Sequence, residues 1–460
     1  MWHKLVFFYL VFWSFTQLSA QEEGKLSMLF AGDVMQHGGQ ISAAYNKNND
    51  GYDYKDCFKF VKPFIATVDL AITNLEVTHA GKPYKGYPQF TAPPELSAAI
   101  VDAGFNVVVT ANNHSCDGGS KGIIGTLDVL DKLGVKHTGT FRSKKERDEN
   151  YPLLFEKNGF KIAILNYTYG TNGLSVAAPL IVNYIDTATM LKDFAKARKM
   201  DVDYIVCTMH WGDEYKPLPN NYQKRWEQFC YAQGADMVIG GHPHVLQPIE
   251  RKTIREKSKL TVWSLGNYVS NQRDRYKDGG IMVRAFLSRQ DKAIVLDDVD
   301  YMFTWVYPRQ EGITKPFYIL PDFNYNGYYT GFLTPDNLAA MNLYFSDSRK
   351  LFAEHNKGNI RECKAASIPR INEVYRSYLQ GYYTVMVEEH NTAAFKTVLT
   401  TEMKQYFHQF TTAEGKYLLL SGMSSDKEQA EGNRNFLADI GVTDTRIVFI
   451  DPKTLKYNLP

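Results

Sequence analysis

Between residues 26 and 290, short apolar runs alternate with helix-like stretches, and this alternation constrains the fold more than any other feature of the sequence. The runs that predict strands cover residues 26–33, 68–76, 105–114, 161–167, 203–210, 237–242 and 260–267. Stretches that predict helices lie between them, for example over residues 122–133 and 223–233. Short β-rich runs separated by helices indicate strands that are buried on both faces of a layered α/β sheet.

Polar residues stand at the ends of these runs again and again. They are Asp33, Glu76, Asn113 with His114, His210, and His242 with His244. Ligands of layered α/β sheets bind beyond the carboxyl ends of the strands, so the recurrence predicts one functional site there. The last pair belongs to Gly-Gly-His-Pro-His-Val at residues 240–245, where the two glycines are expected to let the backbone turn sharply.

The residue types at the strand ends are those of a dinuclear hydrolytic metal site. Such a site needs hard carboxylate or amide oxygens, several imidazoles and one bridging ligand. We predict six metal ligands, namely Asp33, Glu76, Asn113, His210, His242 and His244. Glu76 is the candidate bridge between two ions. His114 stands next to a ligand but projects differently, which suits a general acid or a residue that orients a phosphate.

Each candidate also has a purely structural interpretation. These are a helix cap for Asp33, a surface carboxylate for Glu76, a core histidine for His210, a hydrogen-bonded turn for His242 with His244, and support without catalysis for His114. Asp117 is expected to cap a helix or form a turn rather than to bind metal. For Asn267, contact with the site and turn formation are both open.

Six motifs in a fixed order resemble the CapA (poly-γ-glutamate capsule synthesis) family, which belongs with the calcineurin-like metallophosphoesterases. They are Gly-Asp-Val-Met (32–35), Asn-Leu-Glu (74–76), Ala-Asn-Asn-His (111–114) with Asp117 and Gly118 after it, Met-His-Trp-Gly (209–212), Gly-His-Pro-His-Val (241–245) and Ser-Leu-Gly-Asn-Tyr (264–268). The resemblance spans residues 27 to about 310. It implies a four-layered α/β/β/α sandwich with a dinuclear metal centre.

The resemblance also implies roles for individual residues. It assigns Asp33, Glu76 and His244 to one metal position, and it assigns Glu76, Asn113, His210 and His242 to the other. His114 falls at the position of the acid. The implied cofactors are one or two divalent ions, with manganese, iron or zinc as candidates.

The first motif departs from the wider superfamily. Met35 stands where the superfamily pattern Asp-x-His has its histidine, and strand alternation does not aim Gln36 or His37 inward. The superfamily's bridging aspartate is replaced by Glu76. One metal position is therefore expected to be under-ligated, which puts standard two-metal phosphatase activity in question.

The N-terminus predicts export. Lys4 precedes an apolar run over residues 5–13, and small residues lead up to Ala20, which is the pattern of a signal peptide cleaved after residue 20. An uncleaved anchor is the alternative, although the run is shorter than the ~20 residues that span a bilayer. No second spanning segment is apparent, so we expect no stable membrane span after cleavage and a location in the periplasm, the cell envelope or the exterior.

Composition and cysteine spacing exclude several other classes. Hydrophobic residues at 44% and charged residues at 22% are ordinary for a globular protein, and a net charge of +2 gives no footprint for nucleic acid. The five cysteines lack zinc-ribbon or Cys-x-x-Cys spacing. Buried free thiols are expected, with one disulfide as the alternative.

The chain is predicted to contain a metallophosphoesterase-like domain over residues 25–300, an extension and linker over 301–376, and a small α+β domain over 377–460. The strands of this last domain are predicted over residues 382–388, 406–411, 416–422 and 446–450, and its helices over 393–404 and 425–439. This βαββαβ order suggests a ferredoxin-like module. Its Lys-Tyr-Leu-Leu-Leu-Ser-Gly segment (416–422) resembles SPOR-like domains, which implies binding to peptidoglycan; an uncharacterised small α+β domain is the alternative.

Two functions of different classes are compatible with these features. The first is an exported metal-dependent hydrolase, phosphoesterase-like, that acts in the synthesis of a capsule or another surface polymer. The second is a non-catalytic envelope scaffold that binds an anionic polymer through a degenerate metal site. The candidate site histidines favour the hydrolase; they are His114, His210, His242 and His244. The replacement of a superfamily histidine by Met35 favours the scaffold. Two basic clusters, Arg273 with Arg275 and the segment 251–255, could meet an anionic polymer or be solvated loops.

Overall fold

The computed structural model describes residues 24–47, 49–291, 293–307, 317–322, 333, 335–363, 382–387, 408–411, 417–424, 427–439, 445–451 and 456–458. The predicted signal peptide (residues 1–20) lies outside the described residues. So does the last part of the predicted extension and linker, from residue 364 to residue 376.

The strands and helices follow one another in an α/β order. The strands are β1 Lys25–Val34, β2 Tyr45–Asn46, β3 Gly51–Tyr52, β4 Leu70–Leu75, β5 Val107–Val109, β6 Lys136–Thr138, β7 Thr140–Phe141, β8 Leu153–Lys157, β9 Phe160–Thr168, β10 Ile181–Val182, β11 Tyr204–His210, β12 Met237–Gly241, β13 Leu246–Ile254, β14 Lys257–Leu265, β15 Asn267–Val269, β16 Gly279–Gln290, β17 Ala293–Tyr307, β18 Tyr318–Pro321, β19 Arg361–Glu362, β20 Tyr382–Val387, β21 His408–Thr411, β22 Tyr417–Ser424, β23 Thr445–Asp451 and β24 Lys456–Asn458. The helices are α1 Gly38–Ala44, α2 Lys55–Phe58, α3 Lys62–Ile65, α4 Glu95–Ala103, α5 Gly119–Leu133, α6 Lys144–Asn150, α7 Thr187–Lys199, α8 Asn221–Gln233, α9 Pro335–His355 and α10 Lys427–Asp439.

Two large mixed sheets form the body of the protein. The first has the order β18-β17-β16-β1-β4-β5-β6, with β15 beside β1 and β19 beside β17, and its strands β1, β4, β5 and β6 run parallel. The second has the order β13-β14-β12-β11-β9-β8, and its strands β14, β12, β11 and β9 run parallel. The carboxyl ends of the parallel strands therefore gather at one edge of each sheet.

The sheets pack against each other, and helices cover their outer faces. Alternate residues of β9 divide between two cores: Ile162 and Ile164 join the large core between the sheets, whereas Ala163 and Leu165 join a core that contains Phe194 of α7 and residues of α8. In the first sheet Leu70, Ala71 and Ile72 are all buried, because β4 is covered on both faces. The predicted α/β/β/α sandwich is confirmed.

The predicted elements agree with the observed ones over the body of the chain. Each of the seven apolar runs contains an observed strand, and the predicted helices over 122–133 and 223–233 correspond to α5 and α8. All five cysteines are buried and free, as expected. In the part of the chain that the structure describes, no helix is long and apolar enough to cross a membrane.

The first sheet continues beyond residue 300 through the rest of β17, β18 and β19. The predicted boundary at residue 300 falls inside β17, which pairs antiparallel with β16 and β18. Phe303 and Trp305 of β17 are buried, and α9 packs beside β13 and β17. The extension therefore completes the sheet up to Cys363, whose backbone N–H donates to the carbonyl of Tyr301.

The described C-terminal residues form a separate five-stranded antiparallel sheet of order β21-β22-β20-β23-β24, beside which α10 packs. Four predicted strands and the predicted helix over 425–439 each have an observed counterpart here, and β24 is additional. The other predicted helix, over 393–404, lies outside the described residues. A ferredoxin-like or SPOR-like module accordingly stays a prediction.

Candidate metal centre

The six predicted ligands and His114 converge where the two sheets meet at their carboxyl edges. Asp33, at the end of β1, lies in register with Asn74 of β4 and with Asn267 of β15. In the second sheet His210 ends β11 opposite Gly241 of β12. Since each side chain lies at the end of a parallel strand, the topology brings it to the carboxyl edge of its own sheet, and the packing of the two sheets brings these edges together.

Asp33 is fully buried and held from two sides. Its Oδ1 accepts a hydrogen bond from Asn74 Nδ2 at 2.8 Å, and its Oδ2 accepts one from the backbone N–H of His242 at 3.0 Å. Burial, together with the nearby carboxylate of Glu76, raises the pKa of Asp33 to about 7. The two sheets are thus joined at this carboxylate.

Glu76 directly follows β4, and its side chain is fully buried. Neither carboxylate oxygen has a hydrogen-bond partner among the described residues. The nearest basic atoms to Oε1 are His210 Nε2 at 3.4 Å and His244 Nε2 at 3.8 Å. Burial raises the pKa of Glu76 to about 8, although the neighbouring His114 opposes the rise. A buried carboxylate without partners is unfavourable, and a bound cation would satisfy it.

Glu76 belongs to two groups of potential ligands. The ligand atoms of Asp33, Glu76 and His210 lie within 4.8 Å of one another, and so do those of Glu76, His242 and His244. Burial lowers the pKa of His210 to about 4 and that of His244 to about 3, so both imidazoles are neutral and can ligate without losing a proton. The residues present therefore fit a pair of divalent cations that share Glu76.

The remaining contacts connect these groups. Asn113 Oδ1 lies 2.7 Å from His210 Nε2, and His244 Nδ1 lies 3.0 Å from Asn267 Oδ1 and 3.7 Å from Asp33 Oδ2. The family resemblance places His244 with Asp33 and His210 with Asn113, whereas the distances group His210 with Asp33 and His244 with His242. Glu76 belongs to both groups in either case. The assignment of the other ligands to two metal positions stays a prediction.

The loop that carries His242 and His244 has an uncommon backbone. His242 has φ 94° and His244 has φ 57°, in the left-handed region that non-glycine residues seldom adopt. The expectation that Gly240 and Gly241 provide the sharp turn is wrong, because both lie within β12. Their role is close approach: a Cβ on Gly240 would lie 2.1 Å from the carbonyl of Trp263, and a Cβ on Gly241 would lie 2.7 Å from Asp33 Oδ1.

His114 is oriented by Asp117. Its Nδ1 lies 2.8 Å from Asp117 Oδ2, which also accepts a hydrogen bond from the backbone N–H of Phe90, and the rings of Phe90 and His114 contact at 4.6 Å. Burial lowers the pKa of His114, but the hydrogen bond to Asp117 and the nearby Glu76 outweigh it, so the pKa is raised overall. Asp117 lies in a turn, as its sequence context predicts, and its i+3 spacing from His114 is the sequence signal for their contact.

Two asparagines and a tyrosine were missed or left open. Asn74 contacts Asp33 and accepts a hydrogen bond from Asn112 Nδ2 at 3.0 Å, so an amide network supports the carboxylate. Asn267 contacts His244 and thereby belongs to the site. The ring of Tyr169 packs on that of His242 at 4.6 Å. Asn74 lies in the same Asn-Leu-Glu motif as Glu76, whereas nothing in the sequence marks Tyr169.

An open cleft of about 600 Å³ leads to the centre. Met35, His37, Asn113, His114 and His244 line it, together with Phe90 and Glu214. Met35, which replaces the histidine of the superfamily's first motif, faces this cleft. His37 does face the cleft, which strand alternation did not indicate, because the chain leaves β1 at Val34 and His37 precedes α1.

A family model and two similar proteins all indicate the same family of capsule synthesis proteins. Residues 27–272 match the family model described as bacterial capsule synthesis protein PGA_cap. A capsule biosynthesis protein CapA of Bacillus anthracis is 29% identical over 308 residues, which are 64% of this chain and 70% of that protein. A PGA biosynthesis protein CapA of Bacillus subtilis is 30% identical over 259 residues, 54% of this chain and 64% of that protein.

Among solved structures, a calcineurin-like phosphoesterase YfkN from Bacillus subtilis is similar over 71% of this chain and 98% of that chain, with 12% identity and a TM-score of 0.37.

Proposed function

This chain belongs to the bacterial capsule synthesis protein family, and we propose that it is a metal-dependent hydrolase of the phosphoesterase type that acts in the synthesis of a capsule or another cell-surface polymer. One observation carries the proposal. Glu76 is a buried carboxylate without hydrogen-bond partners among the described residues, and it stands between two groups of neutral or carboxylate ligands. Such a bridge is what a pair of divalent cations requires.

The ligands would be Asp33, Glu76, Asn113, His210, His242 and His244, with manganese, iron or zinc as the ion. When bound, the ions would neutralise negative charge on a phosphoryl group and make water a better nucleophile. Without a cation, Asp33 and Glu76 hold protons near neutral pH because burial raises the pKa of each. Metal uptake would therefore release protons.

His114 would supply the proton for the leaving oxygen. Asp117 engages Nδ1 and raises the pKa of the imidazole, which favours the protonated form that an acid requires. That contact leaves Nε2 for the substrate in the cleft. Asn267 fixes the ring of His244 in the same way, through Nδ1.

The proposal extends to the compartment and the partners. The N-terminal pattern supports export, so we place the activity in the periplasm, the cell envelope or the exterior. The names of the relatives support a capsule or surface polymer as the substrate. The C-terminal module would hold the protein to peptidoglycan.

Metal content and phosphodiester hydrolysis test the proposal together. The full chain is expected to contain divalent metal and to hydrolyse bis(p-nitrophenyl) phosphate, and His242→Ala is expected to lose metal affinity and turnover by about 100-fold. His355→Ala, at the end of α9 and away from the strand ends, is the matched control and should behave as wild type. Elemental analysis and initial rates give the two readouts.

A contrary outcome is well defined. Wild type that holds metal but shows no turnover above His242→Ala, on phosphoesters or on γ-glutamyl substrates, contradicts a hydrolase. That result would instead support the scaffold that binds a polymer through its metal centre.

A further inference from the structure

A second groove of about 640 Å³ continues from the cleft at the metal centre. Tyr215 and Lys277 line both, so the two spaces meet at these side chains. Beyond them the groove runs along α9, past Leu246, Tyr344 and Leu351. A small phosphoester would occupy only the cleft, whereas the combined volume accommodates a chain that extends away from the reacting group.

Two tyrosines in the groove are exposed and have strained backbones. Tyr215 is 46% exposed and Tyr276 is 53% exposed. Their φ angles are 64° and 72°, in the left-handed region that bulky residues rarely adopt. Strain of this kind concentrates at sites of function and must be stabilised by the surroundings. A cation covers one face of each ring, because Lys277 Nζ lies 4.3 Å from the ring centre of Tyr215 and the guanidinium of Arg275 lies 4.8 Å from that of Tyr276. The exposure of the two side chains shows that ring surface remains available in the groove.

The position of Tyr215 is tied to the metal-binding loop. Its backbone N–H donates to the carbonyl of Pro243 at 2.8 Å, between His242 and His244. The ring of Tyr215 lies 6.1 Å from that of His244. A ligand that stacks on Tyr215 would therefore hold its next unit at the metal centre.

The charges of the groove nearly cancel. Lys277 Nζ lies 2.5 Å from Asp274, Lys350 Nζ lies 3.2 Å from Asp347, and Arg275 also pairs with Asp347. Three cations thus face two carboxylates among the lining residues that the structure describes. Recognition of a polyanion requires an excess of positive charge that carboxylates do not already neutralise.

We propose that this groove binds a chain of neutral sugar units, the saccharide part of the substrate whose phosphoester reacts at the metal centre. Sugar rings have one face of C–H groups that packs on an aromatic ring, and their hydroxyls accept and donate hydrogen bonds to paired ionic side chains. Tyr215 and Tyr276 are the stacking surfaces. The inference rests on the proposed function for the position of the reacting bond, and on the groove alone for the ligand.

A glutamate polymer fits these observations less well. It carries one negative charge per unit and has no flat ring to stack on the tyrosines. The lining offers one cation more than its carboxylates, so a polyglutamate segment would meet two acidic side chains for every three basic ones. The groove therefore favours a glycan over that polymer.

Binding of hexasaccharides of glucose and of N-acetylglucosamine to the full chain, measured by calorimetry beside a glutamate hexamer, tests the proposal. At least one saccharide is expected to bind, and Tyr276→Ala is expected to weaken that binding tenfold or more. Tyr276→Phe keeps the ring and should bind as wild type. Tyr45→Ala removes another tyrosine, 39% exposed and outside the groove, and should also leave binding unchanged.

The inference is overturned if neither saccharide binds, if the glutamate hexamer binds more tightly than both, or if Tyr276→Ala binds as wild type. Measurement with chelator-treated protein and with His242→Ala separates this result from the proposed function. Saccharide binding that persists without metal or turnover upholds the groove even where hydrolysis fails. Hydrolysis without saccharide binding removes the groove and leaves the hydrolase.

Discussion

Burial acts on the carboxylates and the imidazoles of the metal centre in opposite directions. It raises the pKa of Asp33 to about 7 and that of Glu76 to about 8, and it lowers the pKa of His210 to about 4 and that of His244 to about 3. In each case the charged form loses the stabilisation of water. All four groups are thus biased towards neutrality in the absence of a cation. A divalent ion reverses the bias for the carboxylates only, which couples metal uptake to proton release.

His114 acts through a different balance, and Asp117→Asn tests it. Loss of the carboxylate lowers the pKa of His114, because the hydrogen bond that raises it is lost. If His114 is the acid, its protonated form is the active one, so activity falls as pH rises through this pKa. We expect the alkaline limb of the pH–rate profile to move to lower pH and kcat at pH 8 to fall, by about tenfold if the pKa of His114 drops by one unit.

Metal content should be unchanged in Asp117→Asn, since Asp117 contacts none of the six predicted ligands in the described hydrogen bonds. Asp128→Asn, which affects an exposed carboxylate of α5, is the control. An Asp117→Asn profile that coincides with that of wild type would show that His114 does not act as the acid.

At the scale of elements, the strand ends explain why so much could be predicted. Strands that are buried on both faces leave continuous apolar runs in the sequence, and the residue that ends each run lies at the sheet edge. Asp33, His210 and His242 were found in this way. The packing of one sheet on the other leaves no such trace, so the approach of Glu76 to His210 could not be measured beforehand. Asp117 does lie in a turn, as expected, but its contact with His114 was not predicted, because the role of a turn carboxylate depends on where the neighbouring ring points.

Gly241→Ala tests how closely the two sheets approach at the centre. The added Cβ would lie 2.7 Å from Asp33 Oδ1, and Asp33 cannot yield easily because Asn74 and the N–H of His242 hold it. We expect a loss of about 1–3 kcal/mol in the free energy of unfolding and a weaker metal affinity. At Gly170 a Cβ meets no atom within 4 Å, so Gly170→Ala is the control. Wild-type melting temperature and metal content in Gly241→Ala would contradict the close approach.

At the scale of the whole molecule, the first sheet extends further along the chain than the sequence pattern indicates. The strand β17 and helix α9 contribute buried side chains to the core between the sheets, among them Phe303, Trp305 and Phe345. The pattern loosens beyond residue 300 because the connecting segments are rich in proline, glycine and tyrosine. The family model ends at residue 272, before these elements. The sheet therefore depends on residues that neither the apolar runs nor the family motifs include.

Truncation distinguishes the two possible ends of this domain. A chain that stops at residue 300 cuts β17 and removes several large core side chains, each contributing about 1.5–3 kcal/mol by burial. Their sum exceeds the roughly 5–15 kcal/mol by which a domain is stable, so we expect this chain to be unfolded or insoluble.

A chain that stops at Cys363 keeps β19 beside β17, and among the described residues it removes only Met386 and Val448 from the same core. We expect it to stay soluble, to unfold cooperatively in circular dichroism, and to hold as much metal as the full chain. A folded chain ending at residue 300, or an unfolded one ending at Cys363, would show that the domain boundary lies elsewhere. In that case the complete first sheet would not be the unit that supports the metal centre.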